Sequence, residues 1–533
     1  MLSERLDYIV ALFQEAGITH WFVSPGSRNA PIVAALIRNG HFKLHSFPDE
    51  RSSAFAAMGS ALKHQYPAAF LCTSGSALAN AYPAVLEAYY QRVPLLIVSA
   101  DRPEDRIDQW DGQTIRQKNF FGNYVRGSYH LDARSESTLS SNQGIYDCIR
   151  QGLEGIPGPT HINISLSEPI YEGIETLKKA NLAISPFVYK SPHYAPVLPS
   201  DVNSFVQNKK VMLVIGMHKE SSILSDVLAK LENAIPIFCD ISSQQTNRGL
   251  SNWDWGLFQR NIPESLKPEL LITMGMGILS KSLKTALNKW NPKHIHVGLH
   301  DEIGDPFKTQ PELWKAHEAD FAEALFQAIF PEVEVHNTYK QNWETFIDEQ
   351  KSTITELEFP FNLEAQFMSV FLKELPDNTR VHLGNSMTVR YGSWVGQTGC
   401  VILSNRGVSG IDGCLSTAVG DALANPDEPI WAVLGDVSAV YDSHALWTTL
   451  PQNLKIVVYN NSGGRIFDFI SGPREFPSMN DYIQTPRTFD FKNLAEFFAI
   501  KHEAYPIQVA IDTIHDIVNL PNQSRLIELR VSE

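Results

Sequence analysis

A chain of 533 residues with 43% hydrophobic and 19% charged side chains has material for about three packed domains and too little charge for a disordered polymer. Its 44 basic against 59 acidic residues, a formal net charge of −15, argue against a nucleic-acid binder that works through phosphate contacts. Anionic ligands would need arginines gathered locally, and the five scattered cysteines read as buried thiols in a reduced compartment, not as disulfides or a zinc site.

In chain order, Met1–Gln14 predicts an amphipathic helix with no secretory leader. Apolar runs such as Pro94–Ala100 fall short of the roughly 20 residues a membrane-spanning helix needs, so a cytoplasmic protein without membrane insertion is expected. Ala68–Cys72 and Pro94–Ala100 predict buried strands, joined by a crossover helix over Ala77–Tyr90 that Pro83 must kink or begin. His161–Leu166 predicts another strand, and the stretch Ser185–Ser200, with Pro186, Pro192, Pro196 and Pro199, a linker.

The middle third repeats strand-then-glycine units: VMLVIG ending at Gly216, LLITMG at Gly275 and HIHVG at Gly298. It reads as Rossmann-like, but no G-x-G-x-x-G fingerprint follows a strand, and MGMG at Met274–Gly277 is not that motif. A polar, helix-rich connection leads to strands at Val401–Ser404, Ile430–Leu434 and Lys455–Tyr459. The expected class is α/β, three domains with parallel sheets flanked by helices. The expected divisions are 1–184, a linker 185–200, a Rossmann-like middle domain 201–330, a connection 331–360 and a last domain 361–533.

Ligands of such sheets gather at carboxyl-terminal strand ends. There Gly435-Asp436 follows one strand and Asn460-Asn461-Ser462-Gly463-Gly464 the next. Either fragment alone is ordinary turn chemistry. Together, on adjacent strands, they would offer a carboxylate, an amide oxygen and a main-chain carbonyl, hard donors that suit Mg²⁺ or Mn²⁺. In the first third, Asp49-Glu50-Arg51 precedes a run of small residues; the pair is either a helix cap or a functional carboxyl. Arginines also sit in turns beyond apparent strands, at Arg28, Arg102, Arg390 and Arg406. Each alone could be a surface ion pair, but as a set they suit ligands with several carboxylates.

The Gly-Asp and Asn-Asn pairs resemble the signature of thiamine-diphosphate enzymes, although Gly435-Asp436-Val437-Ser438 replaces the common Gly-Asp-Gly. Further segments sharpen the likeness: SPGSRNAP, DERSSAFAAMG, TSGSALANAYPAV, SADRPEDR followed by GQTIRQ, GNSMTVR, SNRGVSGIDG, GDVSAVYD and NNSGGRIF. Together they resemble the 2-succinyl-5-enolpyruvyl-6-hydroxy-3-cyclohexene-1-carboxylate (SEPHCHC) synthases of menaquinone biosynthesis. The middle third matches weakly, chiefly through Gly275 and Lys281.

The resemblance implies a thiamine-diphosphate fold with pyrimidine and diphosphate domains around the middle one. It implies decarboxylation of 2-oxoglutarate and 1,4-addition of a succinyl carbanion equivalent to isochorismate. Glu50 would activate the cofactor, with Asp49 as the alternative, and Ser74 and Gly75 would lie near the pyrimidine. Asp436, Asn461 and the carbonyl of Gly463 would bind the metal, with Gly435, Ser438 and Ile411 against the cofactor. Substrate positions would be Ser27, Arg28, Arg102, Gln113, Lys281, Asn385, Ser386, Arg390 and Arg406, with Gln113, Ser386 and Arg390 also close to the chemistry. His382 and His444 are expected to be structural. A cofactor shared between subunits implies a homodimer or homotetramer. The competing expectations are another thiamine-diphosphate carboligase or decarboxylase, a non-catalytic cofactor-binding regulator, and a dinucleotide oxidoreductase, which the missing fingerprint disfavours.

Overall fold

The computed structural model describes residues 2–63, 67–134, 138–171, 184, 186–189, 197–245, 247–330, 333–350, 361–469, 476, 478 and 480–531. Its strands form three all-parallel sheets. The first holds β1 (His20–Val23), β2 (Lys43–Ser46), β3 (Ala68–Cys72), β4 (Leu95–Asp101), β5 (Gly127–Asp132) and β6 (Thr160–Ser165), in the order β2-β1-β3-β4-β6-β5. The second holds β7 (Val211–Ile215), β8 (Ile237–Cys239), β9 (Leu270–Met274), β10 (Lys293–Gly298) and β11 (Glu312–Lys315), ordered β11-β10-β9-β7-β8. The third holds β12 (Arg380–Leu383), β13 (Val401–Leu403), β14 (Ile430–Gly435), β15 (Leu454–Asn460), β16 (Lys501–Pro506) and β17 (Arg525–Arg530), ordered β13-β12-β14-β15-β17-β16.

Central strands such as β3, β4, β7, β9 and β15 are buried along their whole length, as parallel strands covered on both faces must be. The amphipathic N-terminal helix is present at Leu2–Glu15. The single crossover helix expected over Ala77–Tyr90 is two helices, Ser76–Asn80 and Tyr82–Gln91, because Pro83 has no N–H to continue the first and fits the opening turn of the second. Half of the proline-rich stretch, 185 and 190–196, lies outside the described residues, as do 331–332 and 351–360 of the connection. Between these, the connection contains a helix at Val333–Gln350.

One apolar core runs from the first sheet into the third. Its seam is the Glu50–Ala61 helix against the Cys414–Ala424 helix. A Cβ added at Gly59 would stand 2.0 Å from the Thr417 carbonyl oxygen, and one at Gly420 would stand 1.8 Å from that of Ala56. Small residues in SSAFAAMGSA are what allow two backbones to come this close. Residues Ser52–Ala61 are all buried within the single chain.

The order of the middle sheet puts its topological switch point between β7 and β9. There the backbones close on each other: Met217 N–H donates to the Gly277 carbonyl at 3.0 Å and Met276 N–H to that of Met217 at 2.8 Å. A Cβ at Gly216 would meet the Met276 carbonyl oxygen at 1.8 Å. At these strand ends the two loops are joined main chain to main chain. Among the described residues no helix is long and apolar enough to cross a membrane.

Candidate active site

Strands β14 and β15 pair in register to their ends, Gly435 opposite Tyr459, so Asp436 and Asn461 leave the sheet side by side. Asp436 is 1% exposed. Its Oδ1 accepts from Val437 N–H at 2.6 Å and its Oδ2 from Gly463 N–H at 2.9 Å. Burial pushes its pKa up to about 6, against the pull of those N–H groups. Asn461 donates through Nδ2 to Glu364 Oε1 at 2.6 Å, which leaves its Oδ1 buried without a protein partner. An orphaned amide oxygen next to a carboxylate is costly unless a cation or donor is bound, so the donor set fits a hard divalent metal. Among the described residues no group of three His, Cys, Asp or Glu could hold a metal. Gly463 has φ +129, and a Cβ there would meet the Gln484 carbonyl oxygen at 2.9 Å, so only glycine fits this turn.

These residues line a cavity of about 530 Å³ that also takes in Gly435, Ser438, Ile411, Asn385, Ser386, Arg390 and Arg406. Ser438 Oγ donates to the Ile411 carbonyl at 3.3 Å. Asn385 Nδ2 donates to the carbonyls of Asn405 and Gly410, both at 2.6 Å, and its Oδ1 accepts from Arg406 Nη1 at 3.0 Å. Ser386 holds φ +74, a strained conformation for a non-glycine residue, just before the Met387–Val395 helix. Burial and then Arg406 lower the Arg390 pKa, with Asp254 opposing; burial lowers that of Arg406, with Asp240 and Glu87 opposing. Two guanidinium groups lining one cavity suit an anionic ligand there. Lys281 is not in this cavity. It lines an adjoining one of about 430 Å³, and Arg390, Met387 and Ile466 form the shared wall.

The first sheet brings the remaining predicted residues together at the ends of β1, β3 and β4. A Cβ at Gly26 would meet Thr73 Cβ at 2.3 Å, so the loop carrying Ser27 and Arg28 rests on the Thr73–Gly75 turn. Gly75, at φ +87, donates its N–H to Gln117 Oε1 at 2.8 Å, and a Cβ on it would lie 3.1 Å from Gln113 Cα. Ser74 Oγ is buried with no protein partner. Arg28 is buried, donates to the Leu166 carbonyl at 3.0 Å and pairs with Glu168 at 3.1 Å. Its pKa is lowered by burial and then by Arg102, which itself donates to the Gly112 carbonyl at 3.1 Å.

Of the two acids that the sequence left open between cap and functional carboxyl, Asp49 takes the cap. It accepts from Ser52 N–H at 2.7 Å and from His444 Nδ1 at 2.9 Å. Burial would raise its pKa, but these bonds hold it below the usual carboxylate range. Glu50 opens the helix and contacts Asn80 Nδ2 at 3.1 Å; its charge adds to burial in raising the Cys72 thiol. His382, against Asp421 at 2.8 Å in a fully buried cluster with Arg380, is structural as expected. The sequence reading missed Glu364 and Glu87, both buried acids inside apolar helical runs; a charge on an apolar face was the available signal.

Residues 5–120 match the family model for the thiamine pyrophosphate enzyme N-terminal TPP binding domain, and 385–519 that for the C-terminal TPP binding domain. Similarity to curated proteins extends over nearly the whole chain. The 2-succinyl-5-enolpyruvyl-6-hydroxy-3-cyclohexene-1-carboxylate synthase of Flavobacterium psychrophilum is 33% identical over 96% of this chain and 94% of its own length. The synthases of the same name from Flavobacterium johnsoniae and Desulfotalea psychrophila are 34% and 35% identical, over 92% and 91% of this chain and 89% and 90% of their own lengths. The chain belongs to the SEPHCHC synthase family. Thiamine diphosphate is the cofactor of the two matched domains, and the carboxylate, amide and arginines described above lie within those two matched segments. The middle sheet, at β7–β11, falls between them.

Proposed function

We propose that this chain is a transferase of menaquinone biosynthesis that decarboxylates 2-oxoglutarate and joins the succinyl unit to isochorismate by 1,4-addition, giving SEPHCHC. The reading rests on one juxtaposition: the orphaned oxygen of Asn461 and the carboxylate of Asp436 share a cavity with Arg390 and Arg406. A diphosphate–metal site and a dicarboxylate site are therefore contiguous.

Thiamine diphosphate, when bound, supplies the electron sink for decarboxylation. Asp436, Asn461 and the Gly463 carbonyl would hold Mg²⁺ or Mn²⁺, with Gly435 and Ser438 beside the diphosphate and Ile411 beneath the cofactor. Glu50, not the capping Asp49, would hold a hydrogen bond at the pyrimidine ring, beside Ser74 and Gly75. Arg390 and Arg406, with Lys281 at the neighbouring cavity, would neutralise substrate carboxylates from one side, and Arg28 and Arg102 from the other. Ser27, Gln113, Asn385 and Ser386 would orient the substrates through neutral hydrogen bonds, which hold geometry without offering a strong acid to the reacting carbon. Glu50 and Asp436 of one site would come from different subunits of a cytoplasmic homodimer or homotetramer, and the domains would divide at 1–184, 201–330 and 361–533.

The test is turnover of 2-oxoglutarate by purified protein with thiamine diphosphate and Mg²⁺, with and without isochorismate, the product being read by mass spectrometry. SEPHCHC formed only when both substrates are present is the expected result. Release of an aldehyde from 2-oxoglutarate irrespective of isochorismate would overturn the reading in favour of a simple decarboxylase.

A further inference from the structure

Glu87 belongs to neither group of site residues, yet it is 1% exposed and sits where the first sheet's helices meet the third sheet's loops. It lies within the apolar stretch YPAVLEAYYQ of the Tyr82–Gln91 helix, where a carboxylate is costly unless its lone pairs are met. They are met by the backbone of one loop. Oε1 accepts from Gly407 N–H at 2.5 Å, Oε2 accepts from Val408 N–H at 2.8 Å, and the Ser409 N–H also contributes. Gln91, one helical turn on, donates to Glu87 Oε1 at 2.6 Å and to the Ser404 carbonyl at 3.1 Å.

The segment held this way presents Arg406. Its guanidinium reaches Asn385 Oδ1 at 3.0 Å in the cavity with Asp436 and Arg390. The loop is fitted to its holder: a Cβ at Gly407 would lie 2.7 Å from the Glu87 carbonyl oxygen and 2.9 Å from Oε1. Ser409 takes φ +63, a left-handed turn that keeps successive N–H groups pointing toward one acceptor. A carboxylate serving only packing would have no reason to collect the three successive N–H groups that directly follow this one arginine.

We propose that Glu87 is a positioning residue for substrate capture: its carboxylate, supplied by the first domain, clamps the backbone of Gly407–Ser409 and thereby aims the Arg406 guanidinium into the cavity of the last domain. The proposal rests on the reading of Arg406 as a ligand of a substrate carboxylate. Glu87→Gln preserves volume but replaces one acceptor with an –NH₂ that opposes a backbone N–H. The expected result is a rise of about tenfold in KM for a carboxylate substrate, the loss of one charge-assisted hydrogen bond, with kcat within about threefold of the parent. In an Arg406→Ala background the same change should raise KM no further, because the guanidinium it aims is gone.

An equal KM rise in both backgrounds would overturn the proposal, as would a lowered melting temperature with unchanged KM. Unchanged KM for Glu87→Gln beside an impaired Arg406→Ala overturns the positioning role alone, whereas an Arg406→Ala protein with normal KM overturns the reading of Arg406 beneath it. Should Glu87→Gln fail to fold, Gly407→Ala displaces the same loop from the other side and should give the same KM rise.

Discussion

Glu364 accepts from the Nδ2 of Asn461 at 2.6 Å, and this decides that the oxygen of that amide, not the nitrogen, is left facing the cavity. The same carboxyl accepts from the Tyr391 hydroxyl, one residue after Arg390, so the amide proposed to bind the metal and the helix proposed to bind substrate share one buried group. Removing the acceptor by Glu364→Leu should let the amide turn over and lower Mg²⁺ affinity about 10- to 100-fold, while Glu364→Gln, which keeps an acceptor oxygen, should stay within about threefold. Titrating Mg²⁺ into the thiamine-diphosphate-loaded protein and following tryptophan fluorescence checks this. Equal affinities for the two variants would show that Glu364 does not orient the amide.

Chelation gives a simpler check on the same donors. Dialysis against EDTA should abolish turnover, and Mg²⁺ or Mn²⁺ should restore it; Asp436→Asn, which removes the only carboxylate of the set, should resist restoration at metal concentrations that suffice for the parent. Retained activity in the chelated protein would remove the metal from the mechanism.

The helix seam carries a stability prediction. Because a Cβ at Gly420 would stand 1.8 Å from the Ala56 carbonyl oxygen, Gly420→Ala must separate two backbones packed in one core. A loss of about 3 kcal/mol is expected, at the upper end for overpacking, measured by urea unfolding. Gly435→Ala, where an added Cβ meets nothing within 4 Å, is the control expected to leave stability nearly unchanged.

Asp442 provides a pH dependence. It is fully buried, accepts from Ser416 N–H and Oγ, both at 2.7 Å, and burial pushes its pKa up to about 7. A carboxyl raised by folding favours the native state while protonated; that stability is full below the ordinary carboxylate pKa and is lost as pH rises toward 7. At about 1.4 kcal/mol per pH decade, the loss is on the order of 4 kcal/mol. Asn at this position can accept the N–H and donate to the hydroxyl, so Asp442→Asn should gain stability over the parent at pH 8 and little at pH 4. Urea unfolding at the two pH values tests the sign; a constant difference would refute the assignment.

The sequence was most informative where burial is complete. Runs such as AAFLC, VMLVI, IWAVL and KIVVY are central parallel strands, and the ends of the last two deliver Gly435-Asp436 and Asn460-Asn461 to one crevice. It was silent at β2, β5, β11 and β16, edge strands with exposed polar positions and no apolar run to announce them, and also at the three-residue edge strand β8 and at β17, where Arg525, Glu528 and Arg530 interrupt a buried run. The arginines in turns were visible one by one, but the separation of Lys281 into its own cavity depends on how the middle sheet leans on the third, which no local pattern encodes. Glu364 and Glu87 were hidden for the opposite reason: their partners are residues distant in the chain, so only the fold reveals why a charge was tolerated there.

Gly216 and Gly275 give the middle sheet a different calling from its look-alikes. Where related topologies keep their strand ends parted to receive a nucleotide, these two residues let the opposing loops knit main chain to main chain. These two positions tolerate no side chain without parting the loops: a Cβ at Gly216 would stand 1.8 Å from the Met276 carbonyl oxygen, and one at Gly275 would stand 2.8 Å from that of Met217.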